Sequence, residues 1–386
     1  MADGEVTRQD PQPRSGDGDW WSQILGKLVQ HENLSVEEAK NSARKIFACL
    51  EERGSEIPTV LASYFGCLTM KGPTVDELAG MCSAMEDTMT HRFNFDIKGP
   101  VVTAGGTGGD TIKTINVTTP ATIISAAAGA IAVKSVAKAF SSKTGSEDLA
   151  RSMGINVDAQ PDVVKKCVER IGTTIWASAN NYPWMEPLIQ CRNLPTAPLI
   201  FPLLSSLRLM IATSLNPFSV KRQVRGTALP NTELIAKVLL KIGYEKALVP
   251  IGYGSNETIR IDEFSNLGKT KISELRNGKI EVYEITSEDL GIERAAPREV
   301  KAYNTHEQNA RAALQVISGR DRSPRRDLIL LNAGAILYLA DCASDFKDGY
   351  ETVCKAVDEG KAVEKVKQLV VESGGDARRL DSLVRC

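Results

Sequence analysis

The glycine-rich segment 105–110, which reads Gly-Gly-Thr-Gly-Gly-Asp, constrains the fold more than any other feature of this chain. It directly follows a short β-type run at residues 100–103, so the pattern predicts a strand that ends in a loop. Glycines let the backbone pass close to a ligand and aim several N–H groups into one concavity, which suits phosphate or pyrophosphate. The segment matches neither the Walker loop nor the dinucleotide fingerprint. Taken alone, it is equally compatible with a plain tight turn.

The segment 116–120, Asn-Val-Thr-Thr-Pro, lies within ten residues of this loop. Its composition predicts Thr119 as the N-cap of a helix and Pro120 as its first residue. The start of such a helix presents free N–H groups and the positive end of the helix dipole toward the glycines. The two segments together favour an anion site over an ordinary helix cap.

A third polar segment, residues 134–146, interleaves Lys134, Lys138 and Lys143 with serines and a threonine. Lysine supplies a point charge and the hydroxyls supply hydrogen bonds, so the segment fits a second phosphate-contacting loop. A solvated connection between a strand and a helix is the alternative that the residues leave open.

Two adjacent carboxylates, Asp262 and Glu263, follow far downstream between apolar neighbours. Hard cations such as Mg²⁺ take oxygen ligands and often share the oxygens of a bound phosphate. The pair is therefore a candidate magnesium site, although most such pairs are surface charges.

The secondary-structure signals change in character near residue 95. Residues 20–95 carry helical periodicity and two capping boxes, at Ser35 and Thr74, and they predict four short helices in a small all-helical domain. From residue 96 β-type runs alternate with helical ones, for example a helix over 161–171 and a strand over 173–177. This alternation predicts an α/β domain over 96–386 with a mainly parallel central sheet. The helical domain can recruit later helices from about 161–230, and residues 1–19 are expected to be a mobile tail.

Charge and composition exclude several classes of protein. The chain of 386 residues has 47 basic and 48 acidic side chains, so it has no bulk attraction for nucleic acid or anionic membranes. The apolar segment 117–133 contains Pro120 and is too short for a membrane span. Residues 1–19 lack an apolar stretch typical of a secretory signal, and the eight cysteines form no C-x-x-C pair. These observations predict a cytoplasmic protein.

The ordered set of segments resembles the anthranilate phosphoribosyltransferase family over about residues 20–375. The resemblance is carried by the segments 106–110, 114–119, 142–149, Asp262-Glu263 and 331–335. It implies a helical domain joined to an α/β domain with the site in the cleft between them. It also implies phosphoribosyl pyrophosphate as donor, Mg²⁺ as the bridging ion and a homodimer.

The resemblance assigns roles residue by residue. The donor is expected to contact Gly106, Gly109, Asp110, Thr114, Asn116 and Thr119, and its phosphates Lys134, Ser141, Ser142 and Ser146. Lys138 joins these as a further substrate-binding residue. The metal ligands are expected to be Thr118, Asp262 and Glu263, with threonine at 118 in place of the more usual serine.

The acceptor segment departs from the family pattern. Where the family usually reads Lys-His-Gly-Asn-Arg, this chain has Lys134, Ser135, Val136, Ala137 and Lys138. The family's asparagine helps to bind anthranilate, and Ala137 cannot form that hydrogen bond. Three functions therefore stay open: transfer to anthranilate, transfer to another aromatic acceptor in specialised metabolism, or ligand binding without turnover.

Overall fold

The computed structural model describes residues 17–53, 59–138, 145–191, 207 and 216–384. Ser141 and Ser142, and nearly all of the expected N-terminal tail, lie outside the described residues. The α/β architecture with a mainly parallel central sheet and a preceding group of helices confirms the predicted fold class.

Four helices open the described chain, as the sequence predicts. They are α1 (Asp17–Val29), α2 (Val36–Arg53), α3 (Thr59–Lys71) and α4 (Val75–Asp87). The predicted capping box of α4 is present, because the Thr74 side chain accepts from the Glu77 N–H and the Glu77 carboxylate accepts from the Thr74 N–H. Ser35 and Glu38 make the same reciprocal pair before α2.

One apolar core unites these four helices with later parts of the chain. It includes α8 (Met185–Gln190) and α9 (Thr232–Lys241). At its centre Phe47 stacks on Trp184, with ring centroids 4.2 Å apart. The Trp184 indole N–H donates to Thr88 Oγ1, so the buried ring also has its polar atom satisfied.

The sheet contains eight strands among the described residues: β1 (Val101–Gly106), β2 (Ile131–Val136), β3 (Thr173–Ala177), β4 (Arg222–Gly226), β5 (Lys246–Tyr253), β6 (Arg260–Ile261), β7 (Lys269–Arg276) and β8 (Lys279–Thr286). The order is β3-β2-β1-β4-β5-β7-β8, with β6 paired to β5. Strands β1 to β5 run parallel, whereas β6, β7 and β8 pair in antiparallel fashion. The strand β1 lies at the centre, so the glycine segment after it falls where the sheet order reverses, a usual ligand position in such folds.

The remaining helices cover the sheet. They are α5 (Thr118–Ala127), α6 (Ser146–Ser152), α7 (Pro161–Ile171), α10 (His306–Ile317), α11 (Pro324–Leu339), α12 (Phe346–Asp358), α13 (Lys361–Glu372) and α14 (Ala377–Val384). The predicted helix 161–171 and the predicted strand 173–177 have these bounds in the structure.

The two faces of the sheet pack against different cores. Ala132, Val136, Ala104 and Val224 belong to a large core that includes α5 and α11. On the other face, Val133 and Trp176 pack with Phe218, while β5 supplies Ala247 and Val249 to the core of the first helices. Because side chains alternate along a strand, neighbouring residues of β2 serve opposite faces. Among the described residues, no helix is both long and apolar enough to span a bilayer.

We expect the Glu77→Gln substitution to lower the free energy of unfolding by about 3 kcal/mol. The Glu77 carboxylate is fully buried, accepts from the Leu34 N–H at 2.9 Å and pairs with the nearly buried Lys71 ammonium at 3.0 Å. The neutral amide leaves that ammonium buried without a counter-charge, which typically costs about 3–5 kcal/mol. Urea unfolding followed by circular dichroism measures the change.

The neighbouring Asp76→Asn substitution is the matched control. Asp76 also forms an ion pair, with Lys241 at 2.8 Å, but its side chain is 56% exposed. Exposed pairs contribute less than about 1 kcal/mol. Equal destabilisation by the two substitutions would contradict the role of burial.

Candidate active site

The centre of the site is the Asp262 carboxylate, which lies against the glycine segment. Its Oδ2 accepts from the Gly108 N–H at 2.6 Å across 154 residues of sequence. A Cβ on Gly106 would lie 1.9 Å from the same oxygen, and one on Gly226 would lie 1.6 Å from the Asp262 carbonyl oxygen. Gly106 at the end of β1 therefore provides the space for this carboxylate, and Gly226 at the end of β4 provides the space for the Asp262 backbone.

Backbone contacts join the glycine segment to the strand β6 and the residues after it. The Asp262 N–H donates to Asp110 Oδ1 at 2.9 Å. The Thr111 N–H donates to the Arg260 carbonyl at 3.0 Å, and the Arg260 N–H donates to Thr111 Oγ1 at 2.8 Å. Two of the segments singled out in the sequence are thus held together by directional bonds.

Asn332 on α11 fixes the residue after the two carboxylates. Its Oδ1 accepts from the Phe264 N–H at 3.0 Å, and its amide donates to the Phe264 and Leu328 carbonyls. The side chain is 2% exposed, so water does not satisfy these groups instead. This explains why the segment 331–335 belongs to the ordered set of motifs, although no local pattern assigned Asn332 a role.

The carboxyl groups of Asp110, Asp262 and Glu263 lie close together in the site. Their mutual repulsion is unfavourable unless a cation or protons are present. Burial and the neighbouring Asp262 carboxylate raise the pKa of Asp110 to about 9 from its usual 3.8. Burial, Asp262 and Asp110 together raise the pKa of Glu263 well above its usual range. The site therefore favours protons or another positive charge at these oxygens.

Lys134 supplies part of that positive charge. It lies on β2 with 4% exposure, and its Nζ donates to the Ala104 carbonyl at 3.2 Å. Burial lowers the pKa of this ammonium to about 8, while Glu263 and Asp262 oppose the shift. The predicted phosphate ligand is thus a buried cation on the edge of the carboxylate cluster.

The helix that follows the glycine segment begins earlier than the sequence predicted. Its first residue is Thr118 and its N-cap is Val117, so the assignment of Thr119 as cap and Pro120 as first residue is wrong. The Ala121 N–H bonds to the Val117 carbonyl, which closes the first turn without any threonine hydroxyl. Proline is tolerated in the first turn of a helix, so Pro120 did not determine at which residue the helix begins.

This early start leaves polar atoms near the helix N-terminus uncommitted. Thr119 Oγ1 and Asn116 Oδ1 are both buried and have no hydrogen-bond partner. Buried polar atoms are normally paired, so these two are suited to a ligand that carries donors and acceptors. Thr118, the expected metal ligand, lies in the same first turn and is 9% exposed.

The other predicted residues lie elsewhere around the site. Lys138 follows β2 and pairs with both oxygens of Glu186 on α8 at 3.0 Å. Ser146 begins α6, and its Oγ accepts from the Ala137 N–H at 3.3 Å. Thr114 forms a backbone bridge with Lys301. Gly109 has a φ of 91°, which favours glycine.

Sequence reasoning missed Arg225. It lies on β4, which no pattern had predicted as a strand, and it is 4% exposed. Its Nη2 donates to Gln223 Oε1 at 3.1 Å, and Asp262 is among its charged neighbours. The one available signal was an arginine next to a glycine in a segment of otherwise unassigned structure.

No group of three or more His, Cys, Asp or Glu side chains forms a self-sufficient metal site within the described ranges. Mg²⁺ usually takes only one or two carboxylates from the protein and completes its coordination with water and substrate phosphates. The pair Asp262 and Glu263 fits that second type of site.

The comparison with known proteins agrees with this geometry. A model of the family described as "Glycosyl transferase family, a/b domain" matches residues 98–363. The anthranilate phosphoribosyltransferase of Acetivibrio thermocellus is 31% identical over 350 residues, which are 90% of this chain and 94% of that protein. The chain belongs to the anthranilate phosphoribosyltransferase family.

Two solved structures have the same fold as this chain. The anthranilate phosphoribosyltransferase from Thermus thermophilus is 25% identical, with a TM-score of 0.77 over 91% of this chain and 99% of that one. The Saccharomyces cerevisiae enzyme, solved in complex with PRPP and Mg, is 19% identical with a TM-score of 0.75. It covers 92% of this chain and 98% of its own length, and it shares the fold.

We expect the stability of the protein without divalent cations to fall as the pH rises from about 5.5 to about 7.5. In this window an unfolded Asp110 has lost its proton, whereas the folded one, with a pKa of about 9, retains it. The folded state therefore binds more protons than the unfolded state. For each extra proton bound, the free energy of unfolding falls by up to about 1.4 kcal/mol for every unit by which the pH rises. Urea unfolding in EDTA at three pH values measures the slope.

The Asp110→Asn variant isolates the contribution of this carboxyl group. It removes the proton-binding site, so the slope should become shallower than in the unmodified protein. Identical slopes for the two proteins would contradict a protonated Asp110 in the folded state.

Proposed function

We propose that this protein transfers the phosphoribosyl group of phosphoribosyl pyrophosphate to an aromatic amine such as anthranilate and releases pyrophosphate. One observation carries the proposal: the glycine segment closes on the Asp262 carboxylate, and Asn116 and Thr119 at the start of the helix that follows keep unpaired buried polar atoms. This arrangement offers N–H donors, unpaired hydroxyl and amide groups and a buried lysine to one phosphate-rich ligand. Membership in the anthranilate phosphoribosyltransferase family supports the same reaction.

The donor would contact residues from three segments. The proposed contacts are Gly106, Gly109, Asp110, Thr114, Asn116, Thr119, Lys134, Lys138, Ser141, Ser142 and Ser146. To contact the ligand, Lys138 would have to break its ion pair with Glu186 or bind Glu186 and the ligand together. Asn116 Oδ1 and Thr119 Oγ1 need no such exchange, because both are unpaired.

We propose Mg²⁺ as the cofactor, held by Thr118, Asp262 and Glu263 together with oxygens of the donor. The raised pKa of Glu263 fits this assignment, since a buried carboxylate beside two others gains most from a cation. When bound, Mg²⁺ supplies charge that stabilises the departing pyrophosphate.

The protein's part in the reaction is positioning and charge stabilisation. The N–H groups at the start of α5 and the Lys134 ammonium would stabilise the negative charge that develops on the leaving group. Positive charge develops at the anomeric carbon of the ribose, and the amine attacks from the face opposite the pyrophosphate. An aromatic amine is already a free base at neutral pH, so orientation within the cleft is sufficient for the attack. As the C–N bond forms and the C–O bond to pyrophosphate breaks, the nitrogen becomes a cation, which is acidic enough to lose its proton to water or to the departing pyrophosphate.

A different acceptor is the second candidate, and the segment 135–137 favours it. Ser135, Val136 and Ala137 replace the family's usual residues, and the Ala137 backbone is engaged by α6 through both its N–H and its carbonyl. Ala137 cannot form the hydrogen bond that the family's asparagine makes to anthranilate. The residues proposed to bind the phosphoribosyl donor are the same for both candidate functions.

We also propose a division into a helical domain over residues 20–95, extended by later helices, and an α/β domain over 96–386. The separate apolar cores of the first helices and of the sheet face that packs on α5 support this division. A homodimer located in the cytoplasm, without nucleic-acid or membrane partners, completes the proposal on the strength of the family resemblance.

The first test measures pyrophosphate release from phosphoribosyl pyrophosphate and Mg²⁺, with and without anthranilate. Anthranilate-dependent release is expected, because the sequence contains the family's donor-binding motifs and the aromatic amine needs only orientation. Donor binding without anthranilate-dependent release would favour the second candidate. A protein that binds no donor at all would contradict both.

We expect the double substitution Asp262→Asn and Glu263→Gln to weaken Mg²⁺-dependent donor binding by about 100-fold or more. The amides keep the shape of the side chains but remove the charges that would hold the cation. Isothermal titration calorimetry with phosphoribosyl pyrophosphate measures the affinity with and without Mg²⁺.

The control for this variant is Glu281→Gln, on the exposed outer strand β8. It removes an acidic charge at a distance from the glycine segment and should leave donor affinity within about twofold. Unchanged affinity in the double variant would refute the proposed metal ligands.

A further inference from the structure

An ion pair joins the end of the strand β2 to the helix α8. Lys138 lies two residues beyond β2, and its Nζ is 3.0 Å from both carboxylate oxygens of Glu186. Val136 at the end of β2 belongs to the core that contains α5, whereas Met185 and Leu188 of α8 belong to the core of the first helices. The ion pair therefore links the two cores.

The lysine of this pair lies beside residues that are proposed to bind the donor. The carbonyl of the preceding residue, Ala137, accepts from the Glu147 N–H at 3.2 Å, and the Ala137 N–H donates to Ser146 Oγ at 3.3 Å. Ser146 is a proposed contact of the donor phosphates, and Lys134 on β2 is another. The backbone next to Lys138 is thus fixed close to groups that would bind phosphate, which a lysine recognises as a point charge.

The exposure of the ion pair allows another anion to take the lysine. The side chains of Lys138 and Glu186 are 42% and 38% exposed. An ion pair that is exposed to this extent typically changes an equilibrium constant by about fivefold or less. A pyrophosphate group carries more negative charge than one carboxylate, so it attracts the ammonium more strongly at the same distance. The donor can therefore displace Glu186 from Lys138.

The surroundings of Glu186 favour exchange of the lysine over sharing. Gln190 lies one turn further along α8, and its Nε2 is 3.5 Å from Glu186 Oε1. This amide and water can satisfy the carboxylate after the lysine has left, so the exchange leaves no buried orphaned charge. If the carboxylate and a phosphate shared one ammonium, their oxygens would lie within about 6 Å, twice the length of an N–H···O contact. The two anions would repel each other at that distance.

We propose that Glu186 competes with the donor for Lys138 and thereby lowers the affinity of this protein for phosphoribosyl pyrophosphate. The inference rests on the proposed phosphoribosyl transfer and concerns the regulation of its donor site. The carboxylate holds the ammonium before the donor binds, and the ammonium then moves to a donor phosphate. Glu186 is a positioning residue, because it acts on the donor through Lys138. Donor binding also breaks the link that this ion pair makes between the two cores.

A set of three variants tests the competition by calorimetry with phosphoribosyl pyrophosphate and Mg²⁺. Glu186→Gln should lower the Kd of the donor about two- to fivefold, because the amide keeps the shape of the side chain and removes the charge that holds the lysine. Lys138→Gln should raise the Kd about three- to tenfold. In the double variant the Kd should lie within about twofold of that of Lys138→Gln, since no lysine remains for Glu186 to withhold.

The expected gain of affinity cannot result from a variant that misfolds. An unchanged or raised Kd in Glu186→Gln would overturn the proposal. An equal gain with and without Lys138 would also overturn it, because Glu186 would then repel the donor directly. Salt gives an independent measurement: the advantage of Glu186→Gln should shrink below about 1.5-fold when KCl rises from about 0.05 M to about 0.5 M, because salt screens exposed charges. An advantage that does not change with salt would contradict competition through an ion pair.

Two controls separate this inference from the proposed function. Glu233→Gln removes the carboxylate of another exposed ion pair, on α9, where Glu233 contacts the Lys237 ammonium at 2.7 Å. It should leave the donor Kd within about 1.5-fold of the unmodified value. An unmodified protein that binds no donor would refute the proposed function and, with it, this inference. Donor binding with the same Kd in the unmodified protein and in Glu186→Gln would refute only the competition for Lys138.

Discussion

The contact between the Asp262 carboxylate and the glycine segment is the constraint on which the rest of the site depends. The carboxylate occupies a space that exists because Gly106 has no side chain, and the Gly108 N–H holds it there. Gly226 leaves room in the same way for the Asp262 backbone. Asn332 of α11 then fixes the following residue in a buried position. Residues between positions 106 and 332 therefore converge through directional hydrogen bonds, which organise the proposed donor site without a ligand.

This organisation has an electrostatic consequence. Asp110, Asp262 and Glu263 are brought close together in a buried region, and Lys134 compensates them only in part. In such an arrangement the folded protein is under repulsion that a cation relieves, so part of the folding free energy becomes coupled to cation binding. A donor whose phosphates bind together with a cation would balance these carboxylates and Lys134 better than the phosphates or the cation alone.

The sequence predicted the local features well and the long-range contacts poorly. Helix 161–171 and strand 173–177 follow from periodicity and from proline and glycine at their ends, which are local signals. The pairing of Gly108 with Asp262 spans 154 residues, and no local pattern encodes it. The resemblance to a family brought these segments together, whereas the residues alone had left a tight turn and a surface carboxylate pair as alternatives. The same limit explains the error at α5, because Thr119 and Pro120 are both common in a first helical turn and composition could not fix the helix start to one residue.

The omission of Arg225 has a related cause. The strand β4 is short and contains two arginines and a glutamine, so its polarity hid a buried strand of a parallel sheet. Buried polar residues in a strand contradict the usual pattern, and such contradictions tend to occur at functional sites. Alternation along β2 also explains why two adjacent residues can have different surroundings. Lys134 and Ser135 are adjacent in the chain, but the sheet directs them to opposite sides. A substitution at one position therefore leaves the surroundings of the other largely intact, because each side chain packs in a separate layer.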